Sequence, residues 1–410
     1  MDYLISHPSK KIKTRIHLPS SKSESNRALI INALSGNIGT IENISTARDT
    51  ETMLKLLQSK DKILDVIDAG TTMRFLTSYL SLQNQERIIT GTERMCERPI
   101  GLLVDALRTL GAEIEYRKNE GFPPLLIKGL KNQHTNQVSI RGDVSSQYIS
   151  SLLMIGPCLP KGLILTLTGV VGSLPYIMMT LQMMRDFGIN YTFENNTITI
   201  EPQNYKKTTF FVESDWSGAS YWYSIAALSY EADIELVGLK NNSLQGDAVI
   251  ASIMENFGVQ TEFFDHYVRI TKPFSHHLTE HISLDFAHCP DLAQTVAVCA
   301  AALNIRLEMT GIESLKVKET DRISALQYEL SKYNVSIQET EKNQSYQVIG
   351  VPEYKSTQTI KTYKDHRMAM AFAPMAMKSS IKIENPEVVV KSYPSYWTDL
   401  KNAGFVIKEV

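Results

Sequence analysis

One short signature recurs down this chain and limits the folds open to it. LRTLGAEIEY, MRDFGINYTF, MENFGVQTEF, LSKYNVSIQE and LKNAGFVIKE each run from an apolar helix end, through one special residue, into strand-like alternation. That residue is Gly111, Gly188, Gly258, Asn334 or Gly404, with successive spacings of 77, 70, 76 and 70 residues. Glycine and asparagine tolerate the left-handed conformation that stops a helix and redirects the chain. The period is longer than that of common solenoid repeats, so each unit is predicted to be a small βαβαββ subdomain.

A second set of segments repeats in the same rhythm. SESNRALIINAL, TTMRFLTSYLSL, VSSQYISSLLMI, SGASYWYSIAAL, PDLAQTVAVCAAAL and HRMAMAFAPMAM each open on polar residues and turn apolar on nearly all faces. A helix apolar all round is normally buried within a domain. A β-rich run follows each of them: GTIENI, ERIITG, LILTLTGV, DIELVGL, RLEMTGI and IKIENP. Six units in 410 residues predict two domains of three units each, with a boundary near residues 211–214. The earliest unit shows the pattern weakly, around residues 56–61.

Composition removes several classes of function. The formal net charge is -2, so total charge points to neither nucleic acid nor an anionic membrane. The most apolar stretch, residues 152–171, is broken by Pro157, Pro160 and Gly162, which argues against a membrane span. The N-terminus lacks the apolar core of a signal peptide. Cys96, Cys158, Cys289 and Cys299 form no CxxC pair and no zinc-spaced cluster. The expectation is a reduced cytoplasmic protein without a metal.

The helix starts carry the chemistry. Helix N-termini present unpaired N–H groups and a partial positive charge, and so attract anions. Here they also bear Lys22, Ser23 and Arg27; Gly70 and Arg74; Ser145, Ser146 and Gln147; and His366 and Arg367. Arg94, Arg98, Lys316, Lys318, Arg322 and Lys391 add further cations. Any one of these would ordinarily be a solvated surface charge. As a set at repeated helix starts they point to a polyanionic ligand. Asp291, Glu319, Asp321 and Asp365 stand among the bases and are candidates for proton transfer, or for helix capping and ion pairing.

LPSSKSESNRAL, DAGTTMRFL, TGTERMCERPIG, GDVSSQYISSLL, GSLPYI, HCPDLAQT, KVKETDRI and YKDHRMAMAF, in this order, resemble the signatures of the 5-enolpyruvylshikimate-3-phosphate synthase family of enolpyruvyl transferases. The resemblance runs from about Leu18 to Leu400. It implies an α/β fold of six βαβαββ repeats, three per domain, in an inside-out α/β barrel arrangement. Residues 14–212 would form one domain and residues 1–13 with 213–410 the other, with the active site in the interdomain cleft. The implied reaction joins the enolpyruvyl group of phosphoenolpyruvate to the 5-hydroxyl of shikimate 3-phosphate and releases phosphate. The implied protein is a cytoplasmic monomer with no cofactor and no nucleic-acid or membrane partner.

The resemblance also assigns residues. Lys22, Ser23, Arg27, Ser145, Ser146, Gln147, Ser173, Asp291 and Lys318 match positions that hold shikimate 3-phosphate. Lys22, Gly70, Arg98, Gln147, Arg322, Arg367 and Lys391 match those that hold phosphoenolpyruvate. Asp291 is the implied proton acceptor and Glu319 the implied proton donor, with Lys22 stabilising developing charge. Tyr176 is expected near the shikimate ring, and Gly70 is expected to leave room for glyphosate.

Five positions depart from the family pattern. Ser20 replaces a usual glycine, Asp68 an asparagine, Phe75 a proline and Ser314 an asparagine, and Cys96 lies two residues before Arg98. Cys96 keeps open one alternative, a UDP-N-acetylglucosamine enolpyruvyl transferase, whose family carries a reactive cysteine in this region. RMCERP lacks that loop's glycines. A second alternative is a non-catalytic repeat protein binding a phosphorylated ligand or an RNA end.

Overall fold

The computed structural model describes residues 1–274 and 279–410. The chain divides into two compact units: Met1–Ser20 with Glu213–Val410, and Ser21–Val212.

The discontinuous unit contains three four-stranded sheets among the described residues. Each has a parallel pair bracketing a buried helix, then two antiparallel strands. His281–Asp285 pairs in parallel with Arg306–Thr310 around the helix Ala293–Ala302. Gln358–Ile360 pairs in parallel with Ile381–Glu384 around His366–Phe372. The third parallel pair joins distant stretches, Lys11–His17 with Glu231–Val237, the latter following the helix Trp216–Leu228. The opening strand Asp2–Ser6 lies between Ile381–Glu384 and Val406–Glu409, antiparallel to both. Residues up to Ser20 therefore belong with this unit.

The three helices pack on one another at the centre of this unit. Every residue of Ala293–Ala302 is buried. Trp216, Tyr221, Trp222 and Tyr223 are buried within Trp216–Leu228. Burial on all faces is what their unbroken apolar sequence requires.

The unit Ser21–Val212 repeats the scheme. Ile63–Asp65 and Arg87–Thr90 bracket Gly70–Ser81. Gln137–Arg141 and Leu163–Thr168 bracket Ser146–Ile155. Its third repeat, weak in sequence, is reduced to two strands, Thr40–Glu42 and Thr209–Phe211, paired in parallel. The helix Lys22–Leu34 packs against Gly70–Ser81 and Ser146–Ile155.

The recurrent stop residues take the expected conformation. Gly111, Gly188, Gly258 and Gly404 have φ of 112°, 84°, 79° and 96°, and Asn334 has φ of 62°. At Gly111 a Cβ would stand 2.3 Å from the Asn132 carbonyl, so glycine is required there for space as well as for φ.

Candidate active site

In the unit Ser21–Val212 the expected residues gather around three helix starts. Ser21 caps the Lys22–Leu34 helix by accepting from the Glu24 amide at 3.4 Å. Ser145 caps Ser146–Ile155 through the Gln147 amide. These caps leave Lys22 and Gln147 on the first turns. Lys22 Nζ lies 3.1 Å from Asp49 Oδ2, and Asp49 is buried. Thr72 Oγ1 donates to the Asp49 carbonyl at 3.3 Å, tying this pair to the start of Gly70–Ser81. Gln147 Nε2 donates to Thr71 Oγ1 at 3.1 Å, which brings in the third helix.

Gly70 is the first residue of its helix, and Arg98 lies directly against it. A Cβ at Gly70 would stand 2.8 Å from Arg98 Nη1 and 3.0 Å from Nη2. Arg98 itself is buried. Arg74, counted by sequence among the ligand cations, makes hydrogen bonds inside the unit. It donates to the Gly70 carbonyl at 3.2 Å and to the Pro99 carbonyl at 3.0 Å. It thereby fixes the chain next to Arg98.

Arg27 forms a second centre. It donates from Nε to Thr180 Oγ1 at 2.7 Å, from Nη2 to Ser150 Oγ at 3.1 Å and from Nη1 to the Ser23 carbonyl at 3.0 Å. Its guanidinium lies 5.4 Å from the Phe75 ring centroid. The Phe75 departure thus places an aromatic face against Arg27. Burial pushes the Arg27 guanidinium down to about 10, against the opposing effect of Tyr176 and Glu24, so it remains a cation at neutral pH. Ser146 is buried, Ser23 and Tyr176 are half-buried and Ser145 is exposed. Ser173 has a left-handed backbone, φ 50°, at the start of Leu174–Asp186. The departing residue Asp68 accepts from Arg48 at 2.9 and 3.0 Å, so its charge is paired.

In the discontinuous unit all six expected residues join one network. Arg322 is its hub and is buried. It donates from Nη1 to Asp291 Oδ1 at 3.1 Å, from Nη2 to Glu319 Oε2 at 2.9 Å and from Nε to Asp365 Oδ2 at 2.8 Å. Asp291 Oδ2 lies 2.9 Å from Arg367 Nη2, and Oδ1 lies 3.8 Å from Lys318 Nζ. Lys391 Nζ, buried, lies 3.1 Å from Glu319 Oε1. Arg367 also donates to the Asp291 carbonyl at 3.1 Å and to Tyr221 Oη at 3.4 Å.

Local capping aims this network. Asp321 accepts from the amides of Ile323 and Ser324 and so starts the helix Arg322–Ser331. Asp365 accepts from the Arg367 amide at 2.9 Å and starts His366–Phe372. Four cations, Lys318, Arg322, Arg367 and Lys391, face three carboxylates, Asp291, Glu319 and Asp365. Burial works against the charge on Asp291, but Arg367, Lys318 and Arg322 outweigh it and hold its carboxyl well below the usual carboxylate range. Burial likewise works against the Arg322 charge, and the carboxylates of Asp365, Glu319 and Asp291 reverse that and push its guanidinium up. The cluster therefore presents a fixed, ionised carboxylate among cations that suit an anionic substrate, and those cations weaken Asp291 as a base until an anion draws them away.

The same segments are matched by a family model. The model for EPSP synthase (3-phosphoshikimate 1-carboxyvinyltransferase) covers residues 6–59 and 55–400. The chain belongs to the EPSP synthase family. It is 50% identical over 412 residues to the 3-phosphoshikimate 1-carboxyvinyltransferase of Bacteroides fragilis (strain YCH46), covering 100% of this chain and 99% of that protein. It is 36% identical to the protein of the same name from Sulfurovum sp. (strain NBC37-1), covering 98% and 99%. The fold matches that of the EPSP synthase of Acinetobacter baumannii, with a TM-score of 0.77 over the whole of both chains at 21% identity. The EPSP synthase reading of the motifs is therefore favoured over the UDP-sugar and non-catalytic alternatives.

Two other cations singled out by sequence have partners elsewhere in the chain. Arg94 pairs with Glu97 at 3.2 Å and is exposed. Lys316 donates to Asn343 Oδ1 at 2.6 Å and lies over the Tyr346 ring. Cys96 is half-buried, with Sγ 3.6 Å from the Gly91 carbonyl. Sequence reasoning missed Asp49, Ser150, Thr180 and Tyr221, which hold Lys22, Arg27 and Arg367. Asp49 sits in RDTETMLKLLQ, where it reads as one more charge at the start of an amphipathic helix.

Proposed function

We propose that this EPSP synthase family member performs its enolpyruvyl transfer with the residues gathered in these two clusters. Lys22, Ser23, Arg27, Ser145, Ser146, Gln147, Ser173, Asp291 and Lys318 bind shikimate 3-phosphate. Lys22, Gly70, Arg98, Gln147, Arg322, Arg367 and Lys391 bind phosphoenolpyruvate. The observation that carries this reading is the convergence of Asp291, Lys318, Glu319, Arg322, Arg367 and Lys391 into one network.

Asp291 accepts the proton of the 5-hydroxyl as that oxygen bonds to the central carbon of phosphoenolpyruvate. Glu319 delivers a proton to the methylene carbon, giving a tetrahedral intermediate that carries both phosphate and ether. Loss of a proton from the new methyl group and departure of phosphate restore the double bond. Asp291 is ionised and so can accept a proton, and anionic substrates that draw Arg367, Lys318 and Arg322 to themselves raise its basicity toward that of a working base. Glu319 is held by Arg322 and Lys391, the same cations assigned to phosphoenolpyruvate. The substrate's anionic groups compete for those cations and free the carboxylate to carry a proton. Lys22 and the arginines offset charge on the departing phosphate.

We also propose that the protein works as a cytoplasmic monomer without nucleic acid or membrane. Its four free cysteines suit a reducing compartment. A phosphate-release assay with phosphoenolpyruvate tests the function. Release is expected with shikimate 3-phosphate and absent with UDP-N-acetylglucosamine. The reverse pattern would overturn the reading, and sedimentation of the active species tests the monomer.

A further inference from the structure

The segment that delivers Asp365 and Arg367 is built in an unfavourable way. Tyr363 and Lys364 are consecutive non-glycine residues at φ of 53° and 58°. A single such residue is uncommon and a bulky one is disfavoured, so two in succession need outside support. They lie in a tight turn closed by the Asp365 amide, which donates to the Thr362 carbonyl at 2.8 Å. The next residue, Asp365, is the one that holds Arg322 and caps Arg367.

Support comes from the helix Arg322–Ser331. Tyr363 Oη donates to Glu329 Oε1 at 2.8 Å, and Glu329 is fully buried. Lys332 Nζ holds the other Glu329 oxygen and also donates to the Thr359 carbonyl at 2.7 Å. Glu329 and Lys332 thus grip the segment at Thr359 and Tyr363, ahead of Asp365. The first residue of the same helix, Arg322, grips it again at Asp365, with Nε 2.8 Å from Oδ2. Arg322 and Glu329 are seven positions apart, which on one helix is two turns, about 10.5 Å of rise. One rigid element therefore fixes the strained turn at two points.

We propose that Tyr363 and Glu329 are positioning residues for phosphoenolpyruvate: their hydrogen bond holds the left-handed pair Tyr363–Lys364 in place and so sets Asp365, and through it Arg322 and Arg367. This rests on the assignment of those two arginines to phosphoenolpyruvate. Without the tether the turn relaxes toward ordinary backbone angles and Asp365 shifts. The two guanidinium groups then lose their mutual setting, while the shikimate 3-phosphate residues of Ser21–Val212 are untouched.

The test uses the full-length enzyme and steady-state kinetics with both substrates varied. Y363F removes only the hydroxyl. It is expected to raise KM for phosphoenolpyruvate about tenfold, within the hundredfold that an ångström of misplacement can cost, and to raise KM for shikimate 3-phosphate by less, since Asp291 pairs with both arginines but most of that substrate's residues lie in Ser21–Val212. Adding K364G, which relieves the left-handed strain, is expected to recover most of that loss. A Y363F enzyme with lowered Tm but unchanged KM for phosphoenolpyruvate would overturn the proposal, as would failure of K364G to restore it. If Y363F does not fold, E329L, which removes the acceptor of the Tyr363 hydroxyl, is read by the same criteria. R322K and R367K separate the two levels. Unchanged KM for phosphoenolpyruvate in both would refute the underlying assignment. A raised KM in both with none in Y363F would refute the positioning role alone.

Discussion

Arg322 and Asp365 form a buried ion pair, Nε to Oδ2 at 2.8 Å, whose side chains are 2% and 0% exposed. Removing Asp365 leaves Arg322 with Asp291 and Glu319 but takes away the carboxylate on its Nε, a buried donor that water cannot reach. D365A is expected to cost about 1–3 kcal/mol of stability, the usual range for a buried donor left without its partner. It also removes the cap on the Arg367 amide. Urea unfolding of D365A against the parent checks this, and a loss below about 1 kcal/mol would contradict it.

Asp291 stands between Arg322 and Arg367 as a carboxylate. D291N keeps the shape and removes the base. Its kcat is expected to fall about 10²- to 10⁴-fold, the usual span for general-base catalysis. KM for phosphoenolpyruvate should not rise, because two cations lose a competing carboxylate. A kcat within about tenfold of the parent in a phosphate-release assay would remove Asp291 from that role.

Gly70 has no room for a side chain while Arg98 keeps its place. The clash in G70A falls on the flexible end of Arg98, so the arginine is expected to swing aside. KM for phosphoenolpyruvate should rise about tenfold, the equivalent of about 1.4 kcal/mol. Inhibition by glyphosate, competing with phosphoenolpyruvate, should weaken further. Equal glyphosate inhibition of parent and variant would count against the placement of Gly70 in that pocket.

Alkali should unfold the protein through its buried thiols. Burial pushes Cys289 and Cys299 up to about 12, from an ordinary value of 9.0, with nearby carboxylates adding to the effect at Cys289. Above pH 9 the unfolded chain has released these protons and the folded chain has not. The unfolded state then binds fewer protons, so stability falls as pH rises, by up to about 1.4 kcal/mol per pH unit for each thiol. Lys272, pushed down to about 8 by burial, acts in the opposite sense above pH 8 and offsets part of the fall. Denaturation curves at pH 8 and pH 10 should show a smaller loss for C289A/C299A than for the parent.

Much of this architecture could be read in the residues themselves. The helix stops at Gly111, Gly188, Gly258, Asn334 and Gly404 are local events, decided by one residue's freedom to take positive φ, and all five are seen. The repeat containing Thr40–Glu42 is faint because its helix Arg48–Gln58 ends at Ser59 without a left-handed residue and its sheet has only two short strands. The cations were visible as residue types, but their partners were not. Arg74 turns inward to Pro99, while Arg27 meets Thr180 and Ser150 across more than a hundred positions of sequence. Nothing along the chain marks such pairings, since they depend on which helix faces pack. Asp365 looked like a cap for Arg367, which it is; its hold on Arg322 depends on the meeting of two helix starts.

The discontinuous unit has a consequence for how the molecule is made. Its strand Asp2–Ser6 leaves the ribosome long before its partners, Ile381–Glu384 and Val406–Glu409. Lys11–His17 likewise waits for Glu231–Val237. Until those partners are translated these two strands have exposed edges and no sheet, while Ser21–Val212 already contains all the strands it will pair with. Synthesis by segments favours early folding of such a self-sufficient stretch. The other unit can be closed only once Val406–Glu409 has been translated, so a chain that stalls before that strand releases one finished unit and a second with an open seam.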